Sequence, residues 1–153
     1  MTEDFLSDYQ KAGFIRKENI GFDQVVAHVD RAYKDLKVAQ ATIALDAEAS
    51  YNYAYLAMLR IGRALMFSYG FRPTDGQQHK TVVVFSEKVL GDDFAILTRR
   101  FDRMRQKRNR FTYDEPGLLV SEREREDAFA LAKEFVEKVV AFIQKKNPQQ
   151  KLI

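Results

Sequence analysis

Apolar residues recur along most of this chain at steps of three and four, the spacing that builds one face of a helix, and they do so in separate blocks. Val25, Val29, Ala32, Leu36, Ala39 and Ile43 alternate steps of four and three, the pattern of a bundle seam. They predict a helix over about 22–44, set off from what precedes it by Gly21. The next block carries Ala54, Met58, Ile61 and Leu65, with Tyr51 and Tyr55 one turn apart. It predicts a helix over about 46–69, with Asp46 and Gly70 as its caps. Phe71-Arg72-Pro73-Thr74-Asp75-Gly76 reads as a turn by its Pro and Gly content. Thr81-Val82-Val83-Val84 has strand composition, but a lone strand has nothing to pair with, so about 77–90 is predicted helical. Gly91 ends that helix, and Asp92 or Asp93 is the expected cap of another over about 93–112. Ser121 and Glu124 form a capping box at the head of a last helix, which runs through Phe129, Ala132, Val136, Val139 and Ile143 to about Lys146, short of Pro148. Phe5, Leu6, Tyr9 and Phe14 suit a short amphipathic leader over about 3–17. The expected fold is all-α, an up-and-down bundle of four to five antiparallel helices. Residues 1–20 form its leader, 21–147 the bundle and 148–153 a C-terminal tail.

One position breaks the pattern. Phe94, Leu97, Phe101 and Met104 follow steps of three, four and three, and the next members of that stripe are Arg108 and Phe111. A guanidinium cannot shed its charge, so on a buried face it needs a partner or a ligand. Two readings follow: Arg108 pairs with an internal carboxylate or lies at a frayed helix end, or it faces a cleft or a dimer seam. The same helix is strongly basic. From Arg99 to Arg110 seven basic residues are opposed only by Asp102, although the net charge of the whole chain is just +3. Such a stripe suits phosphate neutralisation, or a solvated face balanced by acids of the Glu-rich segment after Ser121.

The remaining composition narrows the chemistry. With 153 residues, 46% of them hydrophobic, the chain fits one domain with a sizeable core. It contains no Cys, which excludes disulfides and thiol nucleophiles. Its start, Met1-Thr2-Glu3-Asp4, is acidic and unlike a signal peptide, and no apolar run approaches membrane-spanning length, so a cytoplasmic, membrane-free protein is expected. The two histidines leave few zinc ligands, and no metal or cofactor is expected. His28, between Val25 and Val29, reads as a partly exposed helix residue; His79 reads as a helix-start residue, with cleft lining as the alternative. Asp92-Asp93 suits capping better than a metal pair, because neighbouring helix residues diverge by about 100°. Tyr51, Tyr53 and Tyr55 suit an aromatic core or dimer seam better than base stacking. No phosphate-binding glycine loop, dinucleotide fingerprint or nucleophile elbow is present.

The segment Arg108-Asn109-Arg110-Phe111-Thr112-Tyr113, with its lead-in Phe101-Asp102-Arg103-Met104-Arg105-Gln106-Lys107, resembles the signature of the HEPN superfamily. In that pattern an Arg, often followed by Asn, Asp or His, precedes a His by a few residues. Tyr53-Ala54-Tyr55-Leu56-Ala57-Met58-Leu59-Arg60-Ile61-Gly62-Arg63-Ala64-Leu65 is similar to the family's second helix, and the resemblance covers about residues 22–145. It implies a helical bundle that forms a homodimer and sets the Arg motif in a cleft between subunits. Many such proteins are metal-independent endoribonucleases, often toxins paired with a small nucleotidyltransferase antitoxin. Others are inactive modules that bind RNA, nucleotides or proteins.

This chain departs from the pattern where the His belongs. Tyr113 stands there, no His follows Arg108, and Glu115 occupies the place of a modifiable Tyr found in some relatives of the family. An ordinary phenol is a poor general base near neutrality, and loss of the His removes about 10²–10⁴ of base-catalysed rate. Geometry adds a condition. Five residues of continuous helix leave Arg108 and Tyr113 about 140° out of register, whereas Arg105, Asn109 and Tyr113 share a face. Arg108 and Tyr113 therefore meet only if the helix ends between them or a second subunit intervenes. The expectation is a catalytically degenerate HEPN-like module presenting Arg105, Arg108, Asn109 and Tyr113 to RNA, a nucleotide or a protein partner such as a nucleotidyltransferase. The alternative is a metal-independent endoribonuclease using Arg108 and Tyr113, helped by Asp114 or Glu115.

Overall fold

A computed structural model describes residues 2–74, 78–115 and 120–152. It is an all-α bundle with one minimal sheet. The helices are α1 (Thr2–Lys11), α2 (Phe22–Thr42), α3 (Ala47–Ser68), α4 (Gln78–Leu90), α5 (Ala95–Asn109) and α6 (Glu122–Lys146). A 3₁₀ turn, Asp92–Phe94, leads into α5, and a π-helical turn, Arg110–Asp114, follows it. The Asp75-Gly76 part of the expected turn and the Pro116-Gly117 break lie outside the described residues.

Helix α3 is the axis of the molecule. Its sequence is apolar nearly all round, and Ala54, Ala57, Met58, Ile61, Ala64, Leu65 and Met66 are fully buried, as a helix with neighbours on every side requires. It packs on α2, α4, α5 and α6. The seam of α2 buries Val25, Val29, Ala32, Leu36 and Ala39, and α6 buries Ala132, Phe135, Val136, Val139 and Ile143. The valines of α4 are helical despite their strand propensity, because Val82 and Val83 fill the space beside α3. Asp46 caps α3 by accepting from the Ala49 amide, and both halves of the Ser121–Glu124 capping box form.

Three features correct the sequence-based expectations. Phe71–Pro73 is a strand (β2), not part of a turn, and it pairs antiparallel with Ile15–Lys17 (β1), joining the leader to the bundle in the register Ile15↔Pro73. Arg72 reinforces the junction by donating to Glu18 and, at 2.7 Å, to Gln24. Asp92 and Asp93 do not cap α5: they belong to the 3₁₀ turn, and Phe94 occupies the cap position with no side-chain bond. The internal carboxylate is Asp35, wholly buried on α2, and it pairs with Arg31 at 3.0 Å and Arg60 at 3.3 Å rather than with Arg108.

Gly62 sets the approach of α3 to α4. A Cβ there lies 2.6 Å from Val82 Cγ1 and 3.2 Å from Ser86 Oγ, closer than side chains tolerate. Alanine gains about 1 kcal/mol of helix propensity, but overpacking costs about 1–3 kcal/mol, and the β-branched Val82 has little rotamer freedom to yield. Gly62→Ala is therefore expected to lower stability by up to about 2 kcal/mol, read as a lower urea midpoint at unchanged slope. A raised midpoint contradicts this account of the α3–α4 contact.

Candidate functional site

The carboxy-terminal end of α5 and the first turn of α4 face each other across an open cavity of about 300 Å³. Arg105, Arg108, Asn109 and Tyr113 all line it, opposite Gln78, His79 and Lys80. The four residues singled out by the Arg motif thus share one cavity within a single chain.

Their convergence depends on how α5 ends. The α-helical hydrogen bonding stops at Asn109, and the π-helical turn over Arg110–Asp114 advances less per residue than an α-helix. The phase error between Arg108 and Tyr113 narrows, and the Arg108 guanidinium carbon lies 5.7 Å from the Tyr113 ring centre. It also lies 5.8 Å from the ring of Tyr55 on α3. Both distances fall within cation–π range. Arg108 Nε donates to Asn52 Oδ1 at 3.0 Å, which orients the plane, while its contact with Asn109 Oδ1 is long at 3.5 Å. Arg108 is half-buried, and no ion pair neutralises it among the described residues. Tyr113, 71% exposed, stands at the mouth with its ring open to a ligand.

The surrounding charges are uneven. Arg105 is held by Asp102 at 2.9 Å, Arg60 by Asp35, and Arg110 by Glu115 at 2.8 Å. Lys107 pairs with Glu124 of α6, so the Glu-rich segment after Ser121 does balance part of the basic stripe. Lys80 and Arg63 have no acidic partner among the described residues. Arg63 donates to Gln78 Oε1 at 3.3 Å and keeps a buried Nε with no partner among the described residues.

His79 is the member that periodicity left in the background. It sits in the first turn of α4 and lines the cavity as well, so its two weighed roles coexist. Its Nδ1 is 2.9 Å from the hydroxyl of Tyr55, a fully buried residue. Burial, reinforced by the guanidinium groups of Arg108, Arg63, Arg105 and Arg60, pushes its pKa down to about 4. Burial likewise holds the Tyr55 phenol well above the ordinary tyrosine range. Both are neutral at physiological pH.

Arg108 also separates this cavity from a second one of about 330 Å³, lined by Asp46, Glu48, Asn52 and Thr112 among others. One guanidinium therefore stands between a basic recess and an acidic one. Among the described residues no cluster of three or more His, Asp or Glu suits a metal ion, and no helix is long and apolar enough to cross a membrane. Asn52 and Tyr55, the groups that hold Arg108 and His79, come from α3; nothing in the sequence pattern marks Asn52, and Tyr55 stands in the tyrosine cluster read as core or dimer seam. Set against known proteins, the chain matches no family model and no curated protein.

Proposed function

We propose that the chain is a HEPN-like helical module that has lost the catalytic His of its motif and binds a phosphate-bearing ligand, RNA or a nucleotide, at the Arg108 cleft. The observation that carries this reading is the guanidinium of Arg108, without an acidic partner among the described residues, within cation–π range of the Tyr55 and Tyr113 rings and lining an open cavity that Lys80 also lines. An unneutralised, pre-oriented guanidinium offers paired N–H donors to phosphate oxygens, and an exposed aromatic ring beside it offers a stacking face to a base. In this reading Arg105, Arg108 and Asn109 hold the phosphate side and Tyr113 the base side. A homodimer across this face and a nucleotidyltransferase partner belong to the same proposal through the motif resemblance alone.

Incubation of the purified protein with end-labelled single-stranded RNA in EDTA tests it. The expected result is a retarded, salt-sensitive band with intact RNA. Cleavage that survives EDTA and disappears in Tyr113→Phe establishes the ribonuclease alternative instead. RNA that is neither retarded nor cut overturns the RNA assignment and leaves free nucleotide or a protein partner.

A further inference from the structure

Tyr55 is fully buried and its hydroxyl meets His79 Nδ1 at 2.9 Å. A buried hydroxyl must place its proton on an acceptor, and an imidazole nitrogen that accepts carries no hydrogen. In a neutral ring the proton is then on Nε2. That nitrogen has no hydrogen-bond partner among the described residues, and it is not among the buried polar atoms lacking one, so it is accessible, on a residue that lines the cavity. The opposite tautomer leaves the Tyr55 proton buried and unbonded, which is the costlier arrangement.

We infer that His79 is the neutral hydrogen-bond donor of the cleft, locked as the Nε2–H tautomer by Tyr55, and that it joins Arg108 and Lys80 in holding the oxygens of one phosphoryl group. The inference rests on the phosphate-binding reading and specifies its chemistry. Three donors from two helices line the cavity: the imidazole and ammonium from α4 and the guanidinium from α5. An acceptor-only tetrahedral phosphoryl group matches such a set. The ring stays neutral because it is buried and because the charged groups acting on it are cationic: Arg108 and Arg105 from α5, and Arg63 and Arg60 from α3. The nearby acid, Asp102 of α5, is engaged by Arg105 and Gln106. A nitrogen that already bears a proton cannot accept one from a ribose hydroxyl. His79 is thus a ligand-holding group and Tyr55 its positioning residue.

The second histidine provides an internal contrast. His28 Nδ1 lies 2.9 Å from the carbonyl oxygen of Gln24, which only accepts, so His28 in its neutral form carries its proton on Nδ1. Side-chain nitrogen NMR of the ¹⁵N-labelled protein near pH ~7 is expected to show two neutral histidines in opposite tautomers, with the Nε2–H set lost in His79→Gln. In Tyr55→Phe the His79 signals are expected to move toward a tautomer mixture while His28 is unchanged. Three probes then distinguish the source of the phosphoryl group: inorganic phosphate, adenosine monophosphate and a short single-stranded oligoribonucleotide. The probe that binds should shift the Nε2–H resonance without changing the tautomer. Oligoribonucleotide affinity should stay flat between about pH 8 and about pH 5.5, where its diesters do not titrate and His79 remains neutral. His79→Gln, which keeps a donor at nearly the same place, should stay within about threefold of wild type, and His79→Ala should lose about tenfold or more.

Binding accompanied by an Nδ1–H or charged His79, or affinity that climbs as pH falls through about 6.5, overturns the donor assignment and leaves the phosphate site standing. Expected tautomers without binding of any of the three probes overturn the phosphoryl assignment, and the phosphate-binding reading with it.

Discussion

Arg108→Ala is expected to weaken binding of single-stranded RNA by at least about tenfold, and to lower the slope of log affinity against log salt by about 0.7–1, one phosphate contact's share. The same variant is expected to change folding stability by less than about 1 kcal/mol, because two effects oppose each other. Truncation removes the hydrogen bond to Asn52 and the stacking on Tyr55 and Tyr113, contacts each worth about 0.5–1.5 kcal/mol. It also relieves the repulsion among Arg105, Arg63 and Arg108, all of which act on His79. A residue kept for the fold behaves the other way round, losing stability and leaving ligand affinity alone. Filter binding across a salt series, paired with urea unfolding, separates the two. Unchanged RNA affinity and slope in a folded Arg108→Ala protein sinks the phosphate role.

The largest stability effect is expected at Phe101. Its ring is fully buried on α5, 5.9 Å from the Tyr55 ring of α3 and 5.2 Å from that of Phe135 on α6, so one side chain joins three helices. Phe101→Ala removes the apolar transfer energy and leaves a void that these stiff helices fill poorly, a loss of about 3–5 kcal/mol. For a domain of this size that lowers Tm by about 6–20 °C. The cleft is coupled to this packing: Tyr55, which holds His79 and lies beside Arg108, rests on Phe101. Weakened ligand binding in the still-folded variant is therefore expected below its transition, by calorimetry or filter binding at low temperature. A loss under about 1 kcal/mol contradicts the jigsaw packing described for this junction.

The helices were legible because each buries one face and periodicity records faces. The seam from Val25 to Ala39, the Asp46 cap and the Ser121–Glu124 box are interactions over one to a few turns, and all three form as their local sequence demands. Local pattern was a poorer guide where competing geometries cost nearly the same. Asp92 and Asp93 have the composition of caps, yet the chain makes a 3₁₀ turn there and starts α5 after it. The strands escaped notice because each spans only three residues, and Ile15 meets Pro73 across the whole of α2 and α3.

The candidate site divides in the same way. Arg108 announced itself locally, as a permanent charge on an apolar stripe, and Arg105 and Asn109 accompany it on α5. Its contact with Tyr113 required a π-helical turn, which no residue pattern in Arg110–Asp114 signals. Asn52 meets Arg108 across 56 residues and Tyr55 meets His79 across 24. The sequence by itself determined which positions are apolar, which helices they build, and that one arginine stands out of place. It took the packed helices to give Asp35 to Arg31 and Arg60, to leave Arg108 without an acid among the described residues, and to bring His79, bonded to Tyr55, to the same cavity. The physical reason is range: hydrophobic period and capping act within a turn or two of chain, whereas charge pairing, proton placement and cavity shape depend on distances that exist only once the helices have packed.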